Sequence, residues 1–161
     1  MSAQPVDPAL DVAQARLEGW FETQGYAPLP HQRAVWKAYL QGRSGLLHTP
    51  TGSGKTLAVA GGPLLEALAE SDRGDAPRLL WITPLRALAA DTARALQQVL
   101  DGLALGWQVV LRTGDASARD KRLARSGKRE VVVTTPESLS LLLSYADTQA
   151  SLGALRAVVV D

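Results

Sequence analysis

Apolar residues in this chain follow two rhythms. Five short stretches, 45–48, 78–83, 107–112, 130–134 and 155–160, are apolar without regular polar alternation. Val131-Val132-Val133 and Val158-Val159-Val160 are β-branched throughout. Runs of this kind fit strands covered on both faces, as in a parallel sheet. Residues 56–70, 85–100 and 117–125 instead carry Ala and Leu at helical spacing. Strand-like and helix-like segments in alternation predict an α/β domain with a doubly wound sheet.

Two more helices are expected ahead of the first strand. Asp7-Pro8 supplies an N-cap and a first-turn proline, and Leu10, Leu17 and Phe21 then fall on one face. Gly25 ends that helix, and Pro28 and Pro30 shape the link to a second one around residues 31–41. Residues 70–77 read as a polar loop and 102–106 as a turn. No repeat or low-complexity tract interrupts the pattern.

Composition narrows the class. A chain of 161 residues, 46% hydrophobic, can bury one core but not two full domains. With 20% charged residues it reads as folded, and the absence of cysteine excludes a disulfide framework or a cysteine metal site. Residues 1–12 lack the basic and apolar regions of a signal peptide. No apolar run approaches the roughly 18 residues of a membrane span. A cytoplasmic protein is expected. The net charge of +1 is silent on nucleic acid. Its distribution is not: Arg112, Arg119, Lys121, Arg122, Arg125, Lys128 and Arg129 crowd one stretch, against Asp115, Asp120 and Glu130. Such a stretch either attracts phosphate or forms a solvated helix face.

The sharpest signal is Thr49-Pro50-Thr51-Gly52-Ser53-Gly54-Lys55-Thr56, between a predicted strand and a predicted helix. That is the setting of a phosphate-binding loop. Gly52 and Gly54 let the backbone curl and aim N–H groups at phosphate oxygens, and the helix starting near Lys55 adds its positive end. The Lys55 ammonium can reach the outer phosphates, and the Thr56 hydroxyl can ligate Mg²⁺. Thr51 and Ser53 complete the candidate ATP site. Thr49 stands where the general pattern has glycine. A P-loop ATPase also needs an acid at the end of a neighbouring apolar strand, to hold Mg²⁺ through its water shell. Asp161, directly after 155–160, fits that role. Lys55 and Asp161 are the candidate catalytic residues, and Thr56 and Asp161 the candidate metal-side groups.

Four further segments, in order around this loop, resemble superfamily 2 helicase motifs. Gly25-Tyr26 with His31-Gln32 is similar to the Q motif, and Thr83-Pro84-Leu85-Arg86-Ala87-Leu88-Ala89 to motif Ia. Arg112-Thr113-Gly114-Asp115 resembles the glycine-containing motif that follows, and Thr134-Thr135-Pro136-Glu137-Ser138-Leu139 resembles motif Ib. The wording Pro-Leu-Arg-Ala-Leu-Ala-Ala-Asp and Thr-Pro-Glu-Ser differs from the DEAD-box RNA helicases. It is similar to the Lhr (large helicase-related) group, above all to its ligase-associated DEXH-box branch, as are Trp20-Phe21, Ala34-Val35-Trp36 and Gly45-Leu46-Leu47-His48. The likeness runs from about residue 20 to 161.

The resemblance implies a RecA-like domain over residues 44–161, reaching motif II, preceded by a helical Q-motif segment over 1–43. It implies that Gln32 reads the adenine edge, with Phe21 or Tyr26 placed to stack on the base or to fill the core. Thr83, Pro84, Arg86, Thr113, Gly114, Asp115, Thr135, Pro136 and Glu137 would contact the DNA backbone, with Arg119 or Arg122 nearby. The implied activity is ATP-dependent unwinding or translocation on single-stranded or tailed DNA. Its implied setting is 3′-to-5′ movement, DNA repair and ligase-linked partners. The glutamate after Asp161, the arginine finger and the second RecA-like domain would lie outside this chain, which alone is expected to be inactive. Three alternatives stay open: another P-loop enzyme such as a small-molecule kinase, a nucleotide-binding module without catalysis, or a helicase acting on RNA or RNA–DNA hybrids. His31 and His48 lack partners at metal spacing and are expected to be structural or surface residues. Trp20, Trp36, Trp81 and Trp107 are expected to pack in the core.

Overall fold

Asp7 does what an Asp-Pro pair dictates: its Oδ1 accepts the Ala9 N–H at 3.0 Å and starts α1, Pro8–Thr23. Ala13, Leu17 and Phe21 form its buried stripe. Helix α2, Pro30–Leu40, follows the two prolines, and α3, Lys55–Ala69, begins at the predicted phosphate loop. The computed structural model describes residues 7–70, 77–127 and 129–161. Most of the expected loop at 70–77, the first six residues and Lys128 lie outside them.

The chain forms two compact units, Met1–Arg73 and Gly74–Asp161. In the first, Phe21 is 1% exposed and packs edge-on against Trp20 and Tyr26, and at a tilt against Trp36. Phe21 therefore serves the core and cannot stack on a base. The Trp36 indole N–H donates to the Leu57 carbonyl at 3.0 Å, and the Tyr39 hydroxyl to Glu66 at 2.6 Å. Both rings lie against glycines of α3. A Cβ on Gly61 would sit 2.0 Å from Trp36 Nε1, and one on Gly62 2.5 Å from the Tyr39 ring. Two adjacent glycines, unfavourable in a helix interior, thus make room for two aromatic rings.

Residues 45–48 form no strand, contrary to expectation, and Leu46 is 96% exposed. A strand is defined by its ladder partner as much as by its composition, and the four strands described pair only with one another.

Those four belong to the second unit: β1, Leu79–Ile82; β2, Val109–Arg112; β3, Val131–Thr134; and β4, Ala157–Val160. They form one parallel sheet in the order β2-β3-β1-β4. Helix α4, Arg86–Gly102, packs on β2 and β3, and α5, Ala118–Ser126, on β2. Leu80, Val110 and Val132 meet Ala124 of α5 in the core. The turn at 102–106 forms as expected, with Ala104 and Gly106 at positive φ. Helices α6, Pro136–Leu143, and α7, Ala146–Ser151, complete the unit. Strand β3 is buried at every position. Strand β4 is not: Val158 is 55% and Val160 78% exposed, although a valine run suggested cover on both faces. Among the described residues it is an edge strand, with a ladder neighbour on one side only. Trp36, Trp81 and Trp107 are buried, as expected of core residues, while Trp20 is half-buried.

Candidate functional site

Two glycines in the left-handed region shape the phosphate loop, Gly52 at φ 79° and Gly54 at φ 73°. Gly54 is the N-cap of α3 and is held from behind. Gln32, 2% exposed, donates from Nε2 to the Gly54 carbonyl at 3.1 Å and accepts the Leu29 N–H at 2.7 Å. A Cβ on Gly54 would sit 2.5 Å from that Nε2, so the φ angle and the contact both require glycine. His31 Nε2 lies 2.9 Å from the Ser53 carbonyl, and Ser53 Oγ donates to Thr49 Oγ1 at 2.7 Å. That last bond uses the position where glycine was expected. The Lys55 ammonium donates to the Thr49 carbonyl at 3.2 Å, which keeps it across the loop.

The cradle fits a polyphosphate. Among the described residues, no backbone carbonyl takes the N–H groups of Gly54, Lys55, Thr56 or Leu57. These are orphan donors of a helix start, with the positive dipole end behind them. Thr51 is exposed and Thr56 half-buried beside them. Tyr26 is 51% exposed and keeps ring surface free, unlike Phe21. The fixed position of His31 on the Ser53 carbonyl was not readable in advance, because a lone histidine carries no spacing signal.

In the second unit the ends of β1, β2 and β3 open onto one groove of about 710 Å³. Pro84, Arg86, Gly114, Thr135 and Glu137 line it, so the three segments singled out after the phosphate loop meet at one place. Thr83 and Thr113 do not line it; both are buried, and Thr113 Oγ1 donates to Asp115 at 2.7 Å. That bond, helped by the nearby Arg86 and Lys121 charges, holds the exposed Asp115 carboxyl below the usual carboxylate range. Pro136 starts α6 and is exposed. Arg119 and Arg122 are exposed helix residues outside the lining.

The cations that do line the groove are Arg86, Arg112 and Lys121. Lys121 Nζ donates to the Gly114 carbonyl at 2.8 Å. A Cβ on Gly114 would meet the Arg86 guanidinium at 2.9 Å. Arg112 and Lys121 lay inside the basic stretch, whose count of charges could not say which of them turn inward. Asp161 follows β4 and donates its N–H to the Ile82 carbonyl at 2.9 Å, with its side chain exposed. Among the described residues no cluster of His, Cys, Asp and Glu forms a metal site, and no helix is long and apolar enough to cross a membrane.

The family model for DEAD/DEAH box helicases matches residues 29–161. The Lhr helicase/probable uracil glycosylase of Mycolicibacterium smegmatis is 35% identical over 174 residues, covering 100% of this chain and 11% of its own length. The Lhr helicase/uracil glycosylase of Escherichia coli is 30% identical, covering 94% of this chain and 11% of its own. The chain thus spans about a tenth of the length of these curated relatives. The structure of Mycobacterium smegmatis helicase Lhr bound to ssDNA and AMP-PNP superposes with a TM-score of 0.78 at 33% identity, covering 96% of this chain and 21% of that one. The parallel sheet with its helices is a RecA-like helicase fold. The chain belongs to the DEAD/DEAH box helicase family, and the curated proteins it resembles are Lhr helicases.

Proposed function

We propose that this chain is the first ATP-binding part of an ATP-driven DNA helicase or translocase. A phosphate loop serves many enzymes, so the observation that carries the reading is the groove. Three strand ends present cations, a glycine and helix-start residues to one channel, which suits the backbone of a nucleic acid. A small-molecule kinase has no use for it. The Lhr relative was solved with ssDNA and AMP-PNP, which favours DNA as the polyanion and ATP as the nucleotide. A protein carrying this chain at the length of its relatives should show ATP turnover that rises with single-stranded DNA. Turnover indifferent to DNA but dependent on a small phosphoryl acceptor would replace the helicase reading with a kinase.

In this reading residues 1–43 supply the helical support of the nucleotide loop, and 44–161 the RecA-like part. Lys55 and the N–H groups around Gly54 bind the phosphates, with Thr51, Gly52 and Ser53 shaping the loop. Thr56 and Asp161 offer the oxygens that suit Mg²⁺, which would neutralise phosphate charge when bound. On the groove, Pro84, Arg86, Gly114, Thr135 and Glu137 face the strand, exposed Pro136 starts the helix beside them, and Thr83, Thr113 and Asp115 hold the loops that carry them. Movement is 3′-to-5′, in a cytoplasmic repair setting with ligase-linked partners. Polarity is testable by unwinding of duplexes tailed on one end or the other.

Two substitutions test the nucleotide site. Lys55→Ala should weaken ATP binding by about 1.5–3 kcal/mol, the range of a charge-assisted hydrogen bond. Equal affinities by calorimetry would sink the assignment. Gln32 has one amide hydrogen and one oxygen lone pair beyond its two protein bonds. If these read adenine, Gln32→Ala should weaken ATP more than GTP. An equal loss for both would mean that Gln32 acts only through the Gly54 carbonyl.

A further inference from the structure

We propose that Arg112 is a phosphate ligand on the floor of the groove, a role separate from the surface cations around it. The inference rests on reading the groove as a nucleic-acid channel and adds a residue to it. Arg112 ends β2 and is 4% exposed, yet it lines the groove. Its Nη1 donates to the Thr113 carbonyl at 3.1 Å, while its Nε is buried with no hydrogen-bond partner. Among the described residues no carboxylate forms an ion pair with it, although Glu137 lines the same groove. Its main chain is fixed, since Thr134 Oγ1 donates to the Arg112 carbonyl at 2.6 Å.

A guanidinium cannot escape burial by losing its proton, so an unpaired one is costly. Buried charges persist where an anion completes them. Among the described residues no ion pair supplies that anion, the side chain lines the groove, and the guanidinium fork suits a phosphate entering there. The neighbouring Lys121 and Arg86 draw a polyanion to the same spot. A surface arginine would add general attraction. A fixed, desolvated one selects a single linkage in the strand.

The test uses the chain and an oligothymidylate, with affinity read by NMR titration across a range of salt. Arg112→Met keeps the volume and removes the charge. It should raise Kd about tenfold and flatten the slope of log affinity against log salt by about 0.7. It should melt at or above the temperature of the parent chain. A scan of single methylphosphonate linkages should find one position that weakens the parent and is silent in Arg112→Met. Arg112→Lys should retain part of that sensitivity. An Arg112→Met protein with unchanged Kd, salt slope and linkage pattern overturns the proposal. If Arg86→Ala weakens binding in that case, the groove reading survives without Arg112. If neither substitution matters, both readings fall.

Discussion

The 161-residue chain is expected to turn over ATP at least about 10³-fold more slowly than a protein that continues it to the length of its relatives. Phosphoryl transfer to water is mainly positioning and charge stabilisation. In the site proposed above, this chain offers the N–H cradle, Lys55, Thr56 and Asp161, which would bind the nucleotide and balance its charge. Resemblance to superfamily 2 helicases assigns the water-orienting glutamate and the arginine finger to residues it does not contain. A finger alone is worth about 10³–10⁵ in rate. Because the chain spans 11% of its curated relatives, most of their machinery lies elsewhere. The measurement is steady-state ATPase with and without single-stranded DNA, on the short and extended proteins in parallel. Comparable rates would show that an acid within these residues activates the water, and would overturn the division of labour proposed here.

Gly61→Ala should lower stability by about 2–4 kcal/mol, although alanine is the better helix former by about 1 kcal/mol. The added methyl would lie 2.0 Å from Trp36 Nε1 and 2.4 Å from Cε2, distances no side chain tolerates. The indole has little room to retreat, being 2% exposed, packed against Phe21 and bonded to the Leu57 carbonyl. Overpacking and loss of that hydrogen bond outweigh the propensity gain. Thermal or denaturant melting reads the effect. The double variant Gly61→Ala with Trp36→Leu should recover part of it, since the clash is between these two residues. A Gly61→Ala chain as stable as the parent would mean that the ring relocates freely. Leu57 sits in the first turn of α3, so a displaced indole should also weaken nucleotide binding.

The helices were legible because their start signals are local. Asp7-Pro8, Pro30 and Ser117 each stand where a helix begins, and Ser117 Oγ accepts the Asp120 N–H as a cap should. The valine runs gave β3 and β4 for the same reason. What could not be read was who stands beside whom. Nothing in Val158-Val159-Val160 distinguishes an edge strand from a central one, and nothing in residues 45–48 announces that no ladder forms there. The site divides in the same way. Glycines at 52, 54 and 114 were conspicuous because turns and close approaches demand them. Arg112 looked like one cation among seven in its stretch, and burial without a counter-ion is a property of packing. Gly61 and Gly62 read as ordinary helix residues, because the rings that need them come from another helix.

Strand β4 has a bearing on handling the protein. Among the described residues no strand pairs with its outer rim along Ala157–Val160, and Val158 and Val160 are exposed. A β-rich, uncharged tetrapeptide at a sheet rim is a template for another copy of itself. The charges in place to discourage this are Arg156 on one flank and Asp161 on the other. The chain should therefore stay dispersed at low salt, and begin to associate as salt screens both flanks. A lysine at position 158 or 160 is the natural gatekeeper for solubility, since neither valine belongs to the buried core.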